Sequence, residues 1–253
     1  MPIDESHPSM NTPNEDYKIW RYMDIPSFLS LLVDEALTFT SASLMEDKFE
    51  GTLPKPTELQ LDSQIGKLFT DSTSSTGPKN FSEILYSLKN AVYLNCWCKA
   101  KTEMVHMWKI YSKEKGIAIE TTYNKLKEAI IDKETILPTE ITYLDYSHQQ
   151  FDWESNTLGL FTIKRLEYQS EQELRLILAF PEQVRKRAEA ETHHEPFNVF
   201  YKNFPVIKIK TDISRLIEAI HISPFAPEWY SDLAKSTLDK FGLTNISIIK
   251  SEL

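Results

Sequence analysis

The sequence predicts a mixed α+β fold, a mainly antiparallel central sheet flanked by helices. Three observations carry that expectation. Short runs such as YKIWRYM, GIAIET and VIKIK alternate or cluster apolar residues in the way of strands. Helical stretches with their own start and stop residues lie between them. The chain then closes on a strand–helix–strand unit: LIEAIHIS, a helix opening at Pro227 and capped by Gly242, and NISIIKSEL. Trp229, Leu233, Ala234, Leu238 and Phe241 form the face that this helix is expected to bury.

Residues 1–14 are polar and proline-dotted and are expected to be disordered, leaving residues 15–253 as a single domain. Tyr17–Met23 reads as the first strand, with Arg21 on the same face as Ile19 and Met23. Arg21 is then either a cleft-lining cation or a side chain that snorkels to solvent while its stem packs. Asp24 and Pro26 open a helix over PSFLSLLVDE. Ala36–Ser43 returns as a strand, MEDKFEG is an acidic turn ending at Gly51, and residues 52–80 form a long polar excursion. A helix near Phe81–Lys89 leads to the strand AVYLNCWC. In EMVHMWKIYS, Met104, Trp108 and Tyr111 share a helical face, which predicts core. Gly116 stops that helix, GIAIET starts a strand, residues 122–132 read as a helix and EITYLDY as another strand. Residues 148–157 read as irregular or as a loose helix. Pro181–Asn198 is a solvated helix or loop in which His193 and His194 are surface residues.

The stretch KRLEYQSEQELRLILAF, residues 164–180, is where chemistry is expected. Read as a strand, it puts Glu171, Glu173, Arg175 and Ile177 on one face and Gln172, Leu174, Leu176 and Leu178 on the other. Read as a helix, Glu171 and Arg175 become a surface pair worth only about 0.3–0.5 kcal/mol. The LRLILAF run ending at Pro181 favours the strand. Two carboxylates leaving one face of an apolar strand then need a partner or a ligand, because charges removed from water are costly unless paired.

Composition narrows the classes. A net charge of −9 argues against broad, non-specific binding to nucleic acid or anionic membrane. No run approaches a membrane span, and the N-terminus lacks a secretory pattern, so a cytoplasmic location is expected. Cys96 and Cys98 would share a strand face, where an ordinary disulfide is poor geometry. With His106 they make three potential metal ligands and no convincing fourth, so no metal is expected.

Several pieces together resemble a bacterial family of domains of unknown function. They are the early WRY, FTSAS followed by EDKFEG, CWCKAKTEMVHMWKIYSKEKGIAIET, KRLEYQSEQELR, and IHISPFAPEW through ISIIKSEL. That resemblance implies a single domain and supplies no activity. A second, weaker resemblance is to ADP-ribosyltransferases of the arginine–serine–glutamate class. It implies that Arg21 holds the phosphate or ribose of NAD and that a hydroxyl among Thr40, Ser41 and Ser43 braces the site. Glu173 would be the catalytic glutamate and Glu171 the acceptor-side acid. The familiar serine-threonine-serine here reads Thr40-Ser41-Ala42-Ser43, and Arg21 and Glu173 stand over half the chain apart. Bond breaking at the ribose develops oxocarbenium character that a fixed carboxylate stabilises, and the arginine fork suits a pyrophosphate.

The leading expectation is an NAD-dependent ADP-ribosyltransferase-like protein, with a toxin or phage-defence role implied by resemblance to bacterial effectors. The acceptor macromolecule is not specified by any motif. The alternative is a non-catalytic domain that binds a nucleotide, nucleic acid or protein, with Arg21 and Arg175 neutralising Glu171, Glu173 or Glu50 internally. A nuclease would need Glu46, Asp47, Glu50, Glu171 and Glu173 to converge on a metal.

Overall fold

Strand β3 (Val92–Lys99) organises the architecture, and its sequence explains why. VYLNCWCK is apolar on both sides, as a strand covered on both faces requires, and its residues are buried or half-buried throughout. The computed structural model describes residues 2–13, 17–61, 88–112, 115–152, 157–191 and 204–253. Its strands are β1 (Lys18–Asp24), β2 (Ala36–Ser41), β3, β4 (Gly116–Thr122), β5 (Leu137–Glu140), β6 (Thr142–Leu144), β7 (Ile163–Arg165), β8 (Glu173–Ala179), β9 (Val206–Lys210), β10 (Ala219–Ile222) and β11 (Ser247–Lys250).

Along one edge β3 pairs with β8, which in turn pairs with β5. The opposite edge is divided between two strands. β2 pairs through Thr40↔Leu94 and Ser41↔Tyr93, and β1 through Trp20↔Cys98 and Ile19↔Lys99. Asn95, Cys96 and Trp97 lie between these two pairings, so the sheet is split there. β4, β10 and β11 continue outward from β1, and β9 continues from β2. Every pairing in this sheet is antiparallel except β10 with β11. The expected mixed α+β class, mainly antiparallel with a C-terminal strand–helix–strand unit, is the fold observed.

Helix α1 (Ile25–Asp34) crosses from β1 to β2. Asp24 caps it by accepting from the Ser27 amide at 2.9 Å, Pro26 sits in its first turn, and Glu35 ends it at φ 46°. Its Phe28, Leu31 and Leu32 join the main core, where they meet Ile19, Met23, Tyr93, Trp97, Leu174, Leu176 and Leu178. The other face of the sheet carries two smaller clusters, one around Leu94, Phe161 and Ile177, the other around Trp20, Tyr22, Cys98 and Trp108.

Several expectations need correction. Residues 2–13, expected to be disordered, are docked: Ile3 bridges Ile136, Asn11 receives the Glu140 amide, and Glu5 accepts from Tyr123 and Lys127. Backbone pairing to an open strand edge holds a segment whose composition alone would not. Within the excursion, residues 55–61 are helical, while residues 62–80 and most of the helix expected near Phe81–Lys89 lie outside the described residues. EITYLDY is not one strand: Ile141 separates β5 from β6, and β6 pairs with β7 in a small parallel sheet. Glu182–Glu191 is the solvated helix expected after Pro181, and His193 and His194 lie outside the described residues.

The C-terminal helix (Trp229–Lys240) buries Tyr230, Ala234 and Leu238, a regular i, i+4, i+8 row. Ala234 and Leu238 are buried as expected, Tyr230 takes the place of Trp229 at the head of the row, and Trp229, Leu233 and Phe241 are exposed.

Candidate functional site

Glu173 opens β8 opposite Cys98, so it shares a sheet face with Cys96, Cys98, Arg175 and Ile177. The strand starts later than a reading of 171–178 as one strand requires. Leu166–Glu171 forms a 3-10 turn and Gln172 is left-handed at φ 42°. Glu171 is therefore not a strand face-mate of Glu173, although both carboxylates arrive at the same cation.

That cation is Lys164, which the sequence reading did not single out. From β7 its ammonium donates to Glu171 Oε2 at 2.5 Å and to Glu173 Oε2 at 3.0 Å. Arg175, with no exposed surface, donates from Nε to Glu173 Oε1 at 2.7 Å. Its Nη atoms form a fork on Glu50 at 2.6 and 3.0 Å, and Nη1 also meets the Phe161 carbonyl at 2.8 Å. Three buried carboxylates thus face two cations. Burial alone would raise the Glu173 carboxyl, but Arg175 and Lys164 outweigh it and hold the group down at about 2. Burial does raise Glu50 above its ordinary value, more than Arg175 lowers it. Burial would likewise lower Lys164, and the two carboxylates hold it well above the ordinary lysine range. The cluster carries one negative charge more than its cations cancel when all three acids are ionised.

Glu50 reaches this cluster because Gly51 turns the chain at φ 62°, where a Cβ would stand 2.6 Å from the Phe161 ring. Gly51→Ala should cost about 1–3 kcal/mol. Equilibrium denaturation with urea checks it, and an unchanged midpoint would mean that the turn relaxes without moving Glu50.

Arg21 stands apart from this network. The strand registers put Trp20 on the face of Cys98 and Glu173, so Arg21 belongs to the opposite face, with Ile19 and Met23. Arg21 and Glu173 therefore do not share a sheet face. What joins them is the split beside β3. The Arg21 guanidinium packs 5.7 Å from the Trp97 ring and donates to the Cys96 carbonyl at 3.3 Å, on the stretch of β3 that neither β1 nor β2 pairs. Among the described residues no carboxylate pairs with it. Burial lowers its pKa, as for a cation removed from water without a counter-charge.

A cavity of about 170 Å³ occupies the split, and Arg21, Thr40, Lys164, Glu171 and Glu173 all line it, between Trp20 and Trp97. A neighbouring groove of about 610 Å³, bounded by α1, β2 and Lys208, shares Arg21, Thr40 and Tyr111 with it. Ser41 and Ser43 are absent from both walls. They bond to each other at 2.8 Å, and Ser41 donates to the Lys89 carbonyl. Of the three expected hydroxyls only Thr40 reaches the cavity, because it lies on the Glu173 face and Ser41 on the other.

Tyr111, expected in the core, is 42 % exposed. Trp108 is fully buried against Tyr22 at 5.0 Å, with its indole donating to Glu103 at 2.9 Å. The helix tightens to a single turn at Val105–Met107 and widens to a π-helix over Trp108–Ser112, which turns Tyr111 out of the core row and toward Glu171. The Tyr111 hydroxyl donates to Glu171 Oε1 at 3.1 Å.

Cys96 and Cys98 are free thiols beside the cavity, and burial pushes Cys98 up to about 12. Among the described residues no His, Cys, Asp and Glu group is arranged to hold a metal ion. The acids a nuclease would turn toward a metal are taken up instead: Glu50, Glu171 and Glu173 by Arg175 and Lys164, and Asp47 by Arg165 at 2.9 Å. No helix among the described residues is long and apolar enough to cross a membrane.

No family model and no curated protein sequence matches the chain. Among solved structures, the chain is similar to DarT from Thermus sp. 2.9 in complex with ADP-ribosylated single-stranded DNA. The two share 11% identity over 96% of this chain and 98% of that one, with a TM-score of 0.39.

Proposed function

We propose that the split beside β3 is an NAD-binding cleft and that the protein is a transferase of the ADP-ribosyl type. One observation carries the reading. Arg21, with no carboxylate partner among the described residues, faces the same cavity as Glu171 and Glu173, which belong to a cluster of three carboxylates and two cations. An anion and a developing cation in one ligand call for that pairing. Arg21 takes the pyrophosphate with its planar fork. The nicotinamide ribose lies toward Glu171 and Glu173, and Thr40 offers a hydroxyl between the two ends.

The chemistry follows from the charges. The bond between the nicotinamide nitrogen and ribose C1′ breaks, and its electron pair leaves with nicotinamide, which becomes neutral. Positive charge appears on the ribose and is stabilised by carboxylate already fixed in place. The acceptor nucleophile bonds to C1′ and gives its proton to a base.

The acids divide the work differently from the resemblance. Both Glu173 oxygens are held by cations, which makes it the anchor of Lys164 and Arg175. Glu171 has one oxygen on Lys164 and the other only on a neutral phenol, so it carries the less compensated charge and is the acid assigned to C1′ and the acceptor proton. The engagement of Glu173 also favours the second reading, a nucleotide-binding domain without turnover.

Two measurements on the intact protein separate the readings. Transfer is expected to give an NAD-dependent rise in melting temperature together with nicotinamide release. A thermal shift without nicotinamide release would leave a domain that binds NAD without turnover, and no shift at all would remove the transferase reading and leave a binding domain for another ligand.

A further inference from the structure

Tyr111 is the wall on which the site's concavities meet. Its side chain lines the cavity beside Glu171, the groove under α1, and two further hollows. One, of about 720 Å³, is bounded by Ile25, Trp229 and Leu233, and the other, of about 400 Å³, by Asp47, Tyr168 and Glu171. Its hydroxyl reaches Glu171 Oε1 at 3.1 Å, while Lys164 holds the other oxygen at 2.5 Å. Between them the two donors fix the plane of the carboxylate. A phenol is protonated at neutral pH, so it stays a donor to the carboxylate. The residue rides on a π-helix, which displaces it from the core row that its spacing to Trp108 implies.

We propose that Tyr111 is a positioning residue with two separable duties. Its hydroxyl aims Glu171 at the ribose, and its ring closes the cofactor cavity toward the hollow bounded by Trp229. The proposal rests on the transferase reading above. It gives the π-helix a purpose, since a regular helix through Trp108 would carry the phenol into the core with it.

The test compares Tyr111→Phe and Tyr111→Ala with the parent in steady-state nicotinamide release, alongside melting curves. Tyr111→Phe keeps the wall and loses the latch, so kcat should fall about tenfold, the worth of one hydrogen bond of about 1.4 kcal/mol, while KM for NAD holds. Tyr111→Ala should show the same loss in kcat and a raised KM as well. A structural role alone would lower the melting temperature and leave both constants of the folded enzyme unchanged, which overturns the proposal. Equal kcat in Tyr111→Phe and parent overturns the latch with the transferase reading intact. A parent that neither binds NAD nor releases nicotinamide overturns the reading and the Tyr111 role together.

Discussion

Arg175→Met is expected to destabilise the protein by about 3–5 kcal/mol, the cost of leaving buried charge without its partner. Arg175 is the single cation shared by Glu50 and Glu173, at 2.6 and 2.7 Å, and it has no exposed surface. Methionine fills much of the volume, so the loss reports charge rather than a hole. The pH dependence should steepen. In the parent, Glu173 has a folded pKa below its unfolded value, so its contribution is present above the ordinary carboxylate pKa and is lost as pH falls toward about 2. Glu50 is raised in the fold and works the other way: its contribution is present at low pH and lost as pH rises through the folded value. Without Arg175 the largest offset to burial at Glu50 is gone while Glu173 keeps only Lys164, so the variant should gain more stability than the parent as pH drops from 7 toward 4. Urea denaturation at several pH values reads this directly. A variant as stable as the parent at pH 7, with the parent's pH slope, would mean that the cluster is wet and the network weak.

The cluster was only partly legible in the sequence. Glu171, Glu173 and Arg175 were visible as charges in an apolar run, and Glu50 as one acid for Arg175 to neutralise. Lys164 was not, because it looked like the polar edge of the same segment. Its role depends on the 3-10 turn and the left-handed Gln172 that separate it from β8, across which its ammonium meets both Glu171 and Glu173. Face parity misled for Arg21. Alternation placed it correctly with Ile19 and Met23, but parity cannot say that the sheet opens beside it, since the split arises from two strands sharing one edge of β3. A helical period likewise reads Trp108 and Tyr111 as neighbours in the core and has no means of anticipating a π-turn between them. The closing unit was readable because its strands, caps and crossover are local, yet the head of the docked row on its helix was missed by one residue. Trp229 is as apolar as Tyr230, and only the facing sheet decides between them.

Glu171→Gln is expected to lower nicotinamide release roughly a hundredfold or more while leaving the fold intact, the scale of removing one preorganised electrostatic group. The intact fold follows from the charge count. Three carboxylates face Lys164 and Arg175, and neutralising Glu171 leaves two acids for two bases, with glutamine still able to meet Lys164 and Tyr111. Glu173→Gln removes charge from the contacts that satisfy Arg175 Nε and Lys164 at once, so its first effect should be a lower melting temperature. Arg21→Lys completes the set. It keeps the positive charge and loses the two-oxygen fork, so NAD affinity should fall with little change in kcat at saturation. The three variants therefore divide into one that loses turnover, one that loses stability and one that loses affinity. Melting temperature, NAD titration and nicotinamide release, measured on each, assign them. If Glu173→Gln keeps its melting temperature and loses turnover while Glu171→Gln works like the parent, the acid at C1′ is Glu173, and its cations are released when NAD binds.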